Sequence, residues 1–247
     1  MLMRNRRMAR FLALALSIAV SPSMTIAKGG DWPEAANSLA YADVAIDPGV
    51  SSAYDIEPPT PAVSQFTNWV IASRDNDDLP FIVIDKIAAE VFVHDAQGWL
   101  VGATPALLGE ALGDDSVPGI GDRDLSDIKP EERTTPAGRF VAKFGPSNGQ
   151  RNVLWVDYAT SVSLHPVITN KKEERRLERL VSPTPDDNRI TYGCINVPLA
   201  FYTQVVWPMF KDTSGVVYIL PETKALKEVF HAFRPHRDRR PSAQAWR

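Results

Sequence analysis

Cysteine is nearly absent: Cys194 is the only one in 247 residues. A lone thiol closes no intramolecular bridge and makes no zinc site that needs two or more thiolates, so a disulfide scaffold and a thiolate-rich metal centre are both excluded. Cys194 is therefore structural, reactive, or paired with another chain. Glycine is sparse beside proline, 14 against 20, which reads as a loop-rich chain with no solenoid or low-complexity array. Histidines number only four, so few side chains can act as a base near neutral pH. A long apolar run is missing as well. Phe11–Val20 is ten residues, short of the roughly 20 that a membrane-spanning helix needs. What is present, 44% hydrophobic residues and a formal charge of −3, suits one soluble globular domain of moderate size.

The N-terminus has a distinct layout. Arg4, Arg6, Arg7 and Arg10 precede the apolar run, and Ser21-Pro22-Ser23 and Thr25-Ile26-Ala27 follow it. This order predicts a secretory signal peptide over residues 1–27, cleaved near Ala27, and hence an exported, periplasmic protein with no stable transmembrane anchor. Without that segment the charge is −7, and residues 28–230 carry −11 because His231–Arg247 holds five arginines against Asp238. An acidic body argues against nucleic acid as the partner. The basic tail reads as a solvated terminus.

Along the chain, residues 28–78 form an extended N-terminal segment rich in Ala, Pro, Ser and Asp, with a short amphipathic helix at Ser64–Ser73 and a turn at Asp75-Asn76-Asp77-Asp78. Residues 79–222 read as the regular domain, and 223–247 as a C-terminal helix and basic tail. The runs Phe81–Ile84, Ala89–His94 and Trp99–Gly102 predict an antiparallel meander. Gly109–Glu132 is a long acidic loop whose aspartates do not match an EF-hand, so no metal is expected. Strand signals resume at Gly138–Lys143, Asn152–Val156 and Ser161–Leu164, with a turn at Ser147-Asn148-Gly149. The charged run Lys171–Leu180 predicts a solvated helix with Glu174 and Glu178 one turn apart, and Asn196–Phe210 predicts a helix on its apolar spacing. A strand at Gly215–Leu220 and a helix at Glu222–Phe230 complete a fold that is mainly β with a few helices.

Cys194 follows Gly193 and precedes the expected helix. That placement predicts an exposed sulfur whose thiolate is favoured by backbone N–H groups and a helix N-terminus, the same groups that stabilise an oxyanion. A buried and inert thiol is the alternative. A nucleophilic thiol needs a base. His94 ends a strand before a turn, and His231 and His236 lie in the tail. His165, at the end of Ser161–Leu164 and followed by Pro166, is the best placed.

In order along the chain stand Thr135-Pro136-Ala137-Gly138-Arg139-Phe140, Leu164-His165-Pro166, Tyr192-Gly193-Cys194-Ile195-Asn196 and Val217-Tyr218-Ile219-Leu220-Pro221. This set resembles the L,D-transpeptidase catalytic domain, the YkuD-type family, over roughly residues 80–222. The Thr-Pro-x-Gly-x-Phe segment matches fully. The cysteine motif matches at Gly193, Cys194 and Ile195, with Thr191-Tyr192 where the family has Ser-His, Asn196 where it has arginine, and Pro166 in place of the glycine after the histidine. The interval from His165 to Cys194 is longer than usual in the family, and the excess contains Lys171–Leu180.

The resemblance implies a β-sandwich or β-barrel catalytic domain acting on peptidoglycan stem peptides through a thioester on Cys194, with no cofactor and no metal. His165 is the implied base, oriented by the Pro166 carbonyl, and the N–H groups of Tyr192, Gly193 and Cys194 the implied oxyanion hole. Arg189, Tyr192 and Asn196 are the expected substrate-binding residues, with Arg189 supplying the charge that Asn196 lacks and the 171–180 insertion bordering the site. With water as acceptor the same constellation is an L,D-carboxypeptidase. A catalytically silent cell-wall binder of the same fold is the alternative of another class.

Overall fold

A computed structural model of the chain describes residues 58–147 and 152–234. The signal-like segment, residues 28–57, the tip of the 147–149 turn and the tail beyond Arg234 lie outside the described residues. Ten strands are described: β1 (Phe81–Asp85), β2 (Glu90–His94), β3 (Leu100–Pro105), β4 (Leu108–Gly109), β5 (Gly138–Pro146), β6 (Asn152–Asp157), β7 (Val162–Pro166), β8 (Arg189–Thr191), β9 (Ile195–Val197) and β10 (Gly215–Ile219). Eight of them make one sheet in the order β3-β2-β1-β10-β5-β6-β7-β9, and β4 pairs with β8 beside it. The expected meander is there as antiparallel β1-β2-β3, while β10 returns parallel to β1.

The sheet curls until its ends meet. Just past β3, Leu107 exchanges both backbone hydrogen bonds with Asn196 of β9, at 2.8 and 2.9 Å. The result is a nearly closed barrel in a mainly β fold, as the strand pattern predicts. Alternation along the strands divides the apolar residues between two cores. Ile82, Ile84, Val91, Val93, Leu154, Leu164, Ile195, Val217 and Ile219 fill the interior. Phe81, Val83, Phe92, Val216 and Tyr218 face outward and are buried by α1 (Pro61–Ser73) and by Phe230 and Phe233. Strands buried on both faces read as unbroken apolar runs, which is why Phe81–Ile84 shows no polar alternation.

Helix α1 begins where a proline is tolerated, at Pro61, with Thr60 Oγ1 accepting the Val63 N–H at 3.3 Å. It buries Val63, Phe66, Thr67 and Val70, one stripe at helical spacing. Phe66 meets Phe230 at 4.5 Å and Tyr218 at 5.3 Å between ring centroids. The packed unit thus extends past 79–222 at both ends.

Two helical expectations are corrected. The Lys171–Leu180 run is not one helix: a 3-10 turn at Lys172–Glu174 is followed by Arg175 in the left-handed region, φ 48°, and then by the short α2 (Arg176–Leu180). Glu174 and Glu178 are consequently not stacked on one face. After Cys194 comes strand β9 rather than a helix, because Ile195 and Val197 are drawn into the barrel beside β7. Helix starts at α3 (Leu199–Phe201), passes through a π-helical turn at Tyr202–Val206 and ends as α4 (Trp207–Phe210). Pro208 has no N–H to give the carbonyl four residues back, and the widened turn before it accommodates that loss. Phe201, Tyr202, Val206 and Phe210 of this segment cap the interior core. The C-terminal helix, α5 (Leu226–Val229), is one turn. Among the described residues no helix is long and apolar enough to cross a membrane.

Candidate active site

The site is made by the parallel pairing of β7 with β9, which sets Leu164 against Ile195, His165 against Asn196 and Pro166 against Val197. One step back, Ser163 falls beside Cys194, with Oγ 3.6 Å from Sγ. Ser163 and His165 are two apart on one strand and so share a face. Sheet register therefore brings the thiol and the imidazole together across 29 residues of sequence.

His165 is 9% exposed. Its Nδ1 lies 2.9 Å from the Pro166 carbonyl oxygen. A carbonyl only accepts, so Nδ1 carries the proton and Nε2 is left with the lone pair. Burial pushes the half-buried Cys194 thiol up. The hydrogen bond and charge of His165 pull it down, with help from Ser163, and the net position is below the ordinary thiol value. No helix N-terminus contributes to this, since α3 begins five residues after Cys194.

The loop carrying the sulfur is fixed from below. Thr135 Oγ1 donates to the Gly193 carbonyl at 2.9 Å and accepts the Gly109 N–H at 2.8 Å. Thr191 Oγ1 donates to the Cys194 carbonyl at 2.7 Å and accepts the Gly193 N–H at 3.1 Å. Gly193 has φ 125°, and a Cβ there would stand 2.8 Å from the Thr134 carbonyl oxygen. Only glycine fits that position. Its N–H is committed to Thr191 and is not available as one of the three donors expected from the motif.

Of the three expected substrate-binding residues, Asn196 lies inside the site, while Arg189 and Tyr192 are engaged by neighbouring side chains. Arg189 is turned away from the thiol: it is paired with Glu222 and donates to the Lys86 carbonyl at 2.7 Å, its side chain only 9% exposed. Its charge is consumed in a buried network with Lys86 and Asp114 and is not offered to a ligand. Tyr192 is half-buried under Arg133, whose guanidinium carbon is 4.1 Å from the ring centre. Asn196 is 1% exposed. It bridges inside the site, with Nδ2 3.1 Å from His165 Nε2 and Oδ1 accepting from Arg176 Nη1 at 2.9 Å.

Arg176, from the 171–180 segment, is thus a cation that reaches the site among the described residues. Glu174 holds it through Nε at 2.5 Å. Sequence reasoning missed this residue because the run looked like a uniform solvated helix. It also gave no role to Ser163 or Thr135, although strand alternation from His165 marks the first and the Thr-Pro-Ala-Gly segment contains the second. Of the other histidines among the described residues, His94 is stacked on Phe81 at 4.7 Å and His231 Nδ1 contacts the Lys227 carbonyl; His236 lies outside the described residues. Asp114 of the acidic loop accepts from Lys86, Thr223 and three backbone N–H groups. Among the described residues no group of three or more His, Cys, Asp or Glu side chains is arranged to hold a metal.

The solved structures this chain resembles include L,D-transpeptidases. One is the catalytic domain of the E. faecium L,D-transpeptidase, at 14% identity and TM-score 0.32, covering 58% of this chain and 98% of that one. Another is an L,D-transpeptidase from Xylanimonas cellulosilytica, at 12% identity and TM-score 0.35, covering 57% and 60%. A third is the helical cell shape determining protein Pgp2 from Campylobacter jejuni, at 11% identity and TM-score 0.39, covering 64% and 55%. The matched region therefore spans nearly all of the first structure and between half and two thirds of the other two. No family model and no curated protein matches the chain.

Proposed function

We propose that the chain is a cysteine-dependent L,D-transpeptidase acting on peptidoglycan tetrapeptide stems. The observation that carries this reading is the pairing of β7 with β9, which sets the Cys194 thiol beside Ser163 and His165, with the imidazole's Nδ1 2.9 Å from the Pro166 carbonyl oxygen. With Nδ1 facing the carbonyl, Nε2 is the ring's acceptor, the base that a neighbouring thiol nucleophile needs. The sequence resemblance supplies the substrate class.

In the reaction, His165 Nε2 takes the Sγ proton and the sulfur attacks the carbonyl between the third-position diamino acid and the terminal D-Ala. The N–H groups of Tyr192 and Cys194 receive the developing oxyanion, each donor contributing about 3–4 kcal/mol. Collapse breaks the C–N bond, His165 returns the proton to the leaving amine, and D-Ala departs. An amine from a second stem then attacks the thioester, His165 takes its proton, and the thiol is restored. Water in place of the amine gives carboxypeptidase activity.

The test is incubation of the mature protein with disaccharide-tetrapeptide, followed by intact-mass spectrometry. The expected species is an adduct of the tetrapeptide less D-Ala on the wild type and none on Cys194→Ala. No adduct on the wild type, or an equal one on Cys194→Ala, sinks the nucleophile assignment and leaves the silent binder. Crosslinked dimers among the products mark transfer, and free tripeptide marks hydrolysis.

A further inference from the structure

Asn196 stands between two groups that dictate which way its amide faces. Arg176 Nη1 is 2.9 Å from one end. A guanidinium has donors only, so that end is the oxygen. The other end, the NH2, is then 3.1 Å from His165 Nε2. The ring's single lone pair, the one available to the Cys194 proton, is thereby also engaged by an amide N–H. Arg176 is itself fixed: its side chain is 14% exposed, Glu174 accepts from Nε at 2.5 Å, and Lys171 lies 3.6 Å from Glu174.

We infer that Arg176, acting through Asn196, is a positioning residue that restrains thiolate formation at Cys194. The inference rests on the reading of His165 as the base. When the proton passes from Sγ to Nε2, the new Nε2–H faces the amide NH2, donor against donor. Turning the amide over would offer Oδ1 to Nε2–H, but it would set the NH2 against the guanidinium, again donor against donor. Arg176 therefore keeps the amide in the orientation that favours neutral thiol and neutral imidazole. The thiol is already lowered by His165, and with this restraint it is lowered less than the bare pair allows. The charged and titratable groups around the amide are Arg176 and Glu174 from the insertion and Cys194 and His165 from the barrel, so control of the nucleophile lies in an insertion outside the sheet.

The experiment is the pH profile of iodoacetamide alkylation at Cys194 in the full mature chain. It needs no peptidoglycan, so it stands whether or not the acyl adduct forms. Arg176→Gln removes the charge but keeps an NH2 for Asn196 Oδ1, whereas Arg176→Met removes both. The expected midpoint for Arg176→Gln is at or slightly above that of the wild type. For Arg176→Met it falls by about one unit, giving about tenfold faster alkylation at pH values below it. Asn196→Ala lowers the midpoint in the same direction, and in that background the difference between Met and Gln at position 176 disappears. Equal shifts for Arg176→Met and Arg176→Gln overturn the inference, as does a Met–Gln difference that survives in Asn196→Ala. If Arg176→Met proves unfolded by circular dichroism, Asn196→Ala alone decides: an unchanged or raised midpoint overturns it.

Discussion

Replacing Lys86 by Met tests how the floor of the site is held up. The ammonium is buried, 1% exposed for the residue, and every one of its protons is committed: to the Gly113 carbonyl at 2.5 Å, the Asp114 carboxylate at 2.7 Å and the Thr135 carbonyl at 2.9 Å, with Glu222 at 3.3 Å. Methionine fills the same space and satisfies none of these. It leaves two buried carboxylates sharing one remaining cation, Arg189, and two carbonyls without a donor. Removing one partner of a buried pair costs about 3–5 kcal/mol, a large part of the roughly 5–15 kcal/mol that a domain has. The melting temperature of Lys86→Met should fall by about 6–20 °C on that basis.

The acid limb adds a second readout. Burial pushes the Asp114 carboxyl up, but Lys86, Thr223 and the backbone N–H groups of Glu222 and Thr223 outweigh it and hold it well below the usual carboxylate range. The folded value lies below the unfolded one of about 3.9, so the stabilisation is complete above about pH 5 and is lost as pH falls through 4 and beyond. Without the ammonium that slope should become shallower. Urea unfolding at pH 7 and pH 4 measures both effects. A loss under about 1 kcal/mol at pH 7 with an unchanged acid slope would refute the buried-pair account. The same variant should slow alkylation of Cys194, because Thr135, which Lys86 holds by its carbonyl, holds the Gly193 carbonyl by its hydroxyl.

Other outcomes follow from single features. His94 is lowered to about 4, mainly by burial against Phe81. The unfolded imidazole takes up a proton near pH 6.5 and the folded one does not, so the wild type should lose about 3 kcal/mol between pH 6.5 and 4, and His94→Phe should lose less by that amount in urea titrations across the same window. Gly193→Ala should cost about 1–3 kcal/mol from its φ alone, more with the Thr134 clash, and should abolish acyl-adduct formation before it abolishes folding, measured by mass spectrometry beside a thermal melt.

The β runs were legible in the sequence because each is dense in β-branched and aromatic residues between turn formers. The expected runs Phe81–Ile84 and Ala89–His94 fall within a residue of the observed strands. Strand β8 was not legible, since Arg189–Thr191 is three residues whose pairing to β4 depends on a chain segment about 80 positions away. The helix expected at Asn196 failed because apolar spacing there serves two masters: Ile195 and Val197 alternate into the barrel, and only from Leu199 does helical spacing govern. At the site, Cys194 and His165 were singled out by residue type and motif, and the register of β7 with β9 sets them side by side. The partner of Asn196 was not, because Arg175 breaks the charged run and redirects Arg176, a backbone event that charge patterning does not encode.

Asn196 has one further property. Its backbone forms the two hydrogen bonds with Leu107 that join the ends of the curled sheet, while its side chain touches His165. Whatever frequency the barrel has for parting at that line is thus also a frequency at which His165 loses its neighbour. Amide exchange at Leu107 and Asn196 would then report, without any substrate, how often the His165 and Cys194 side chains are momentarily out of register.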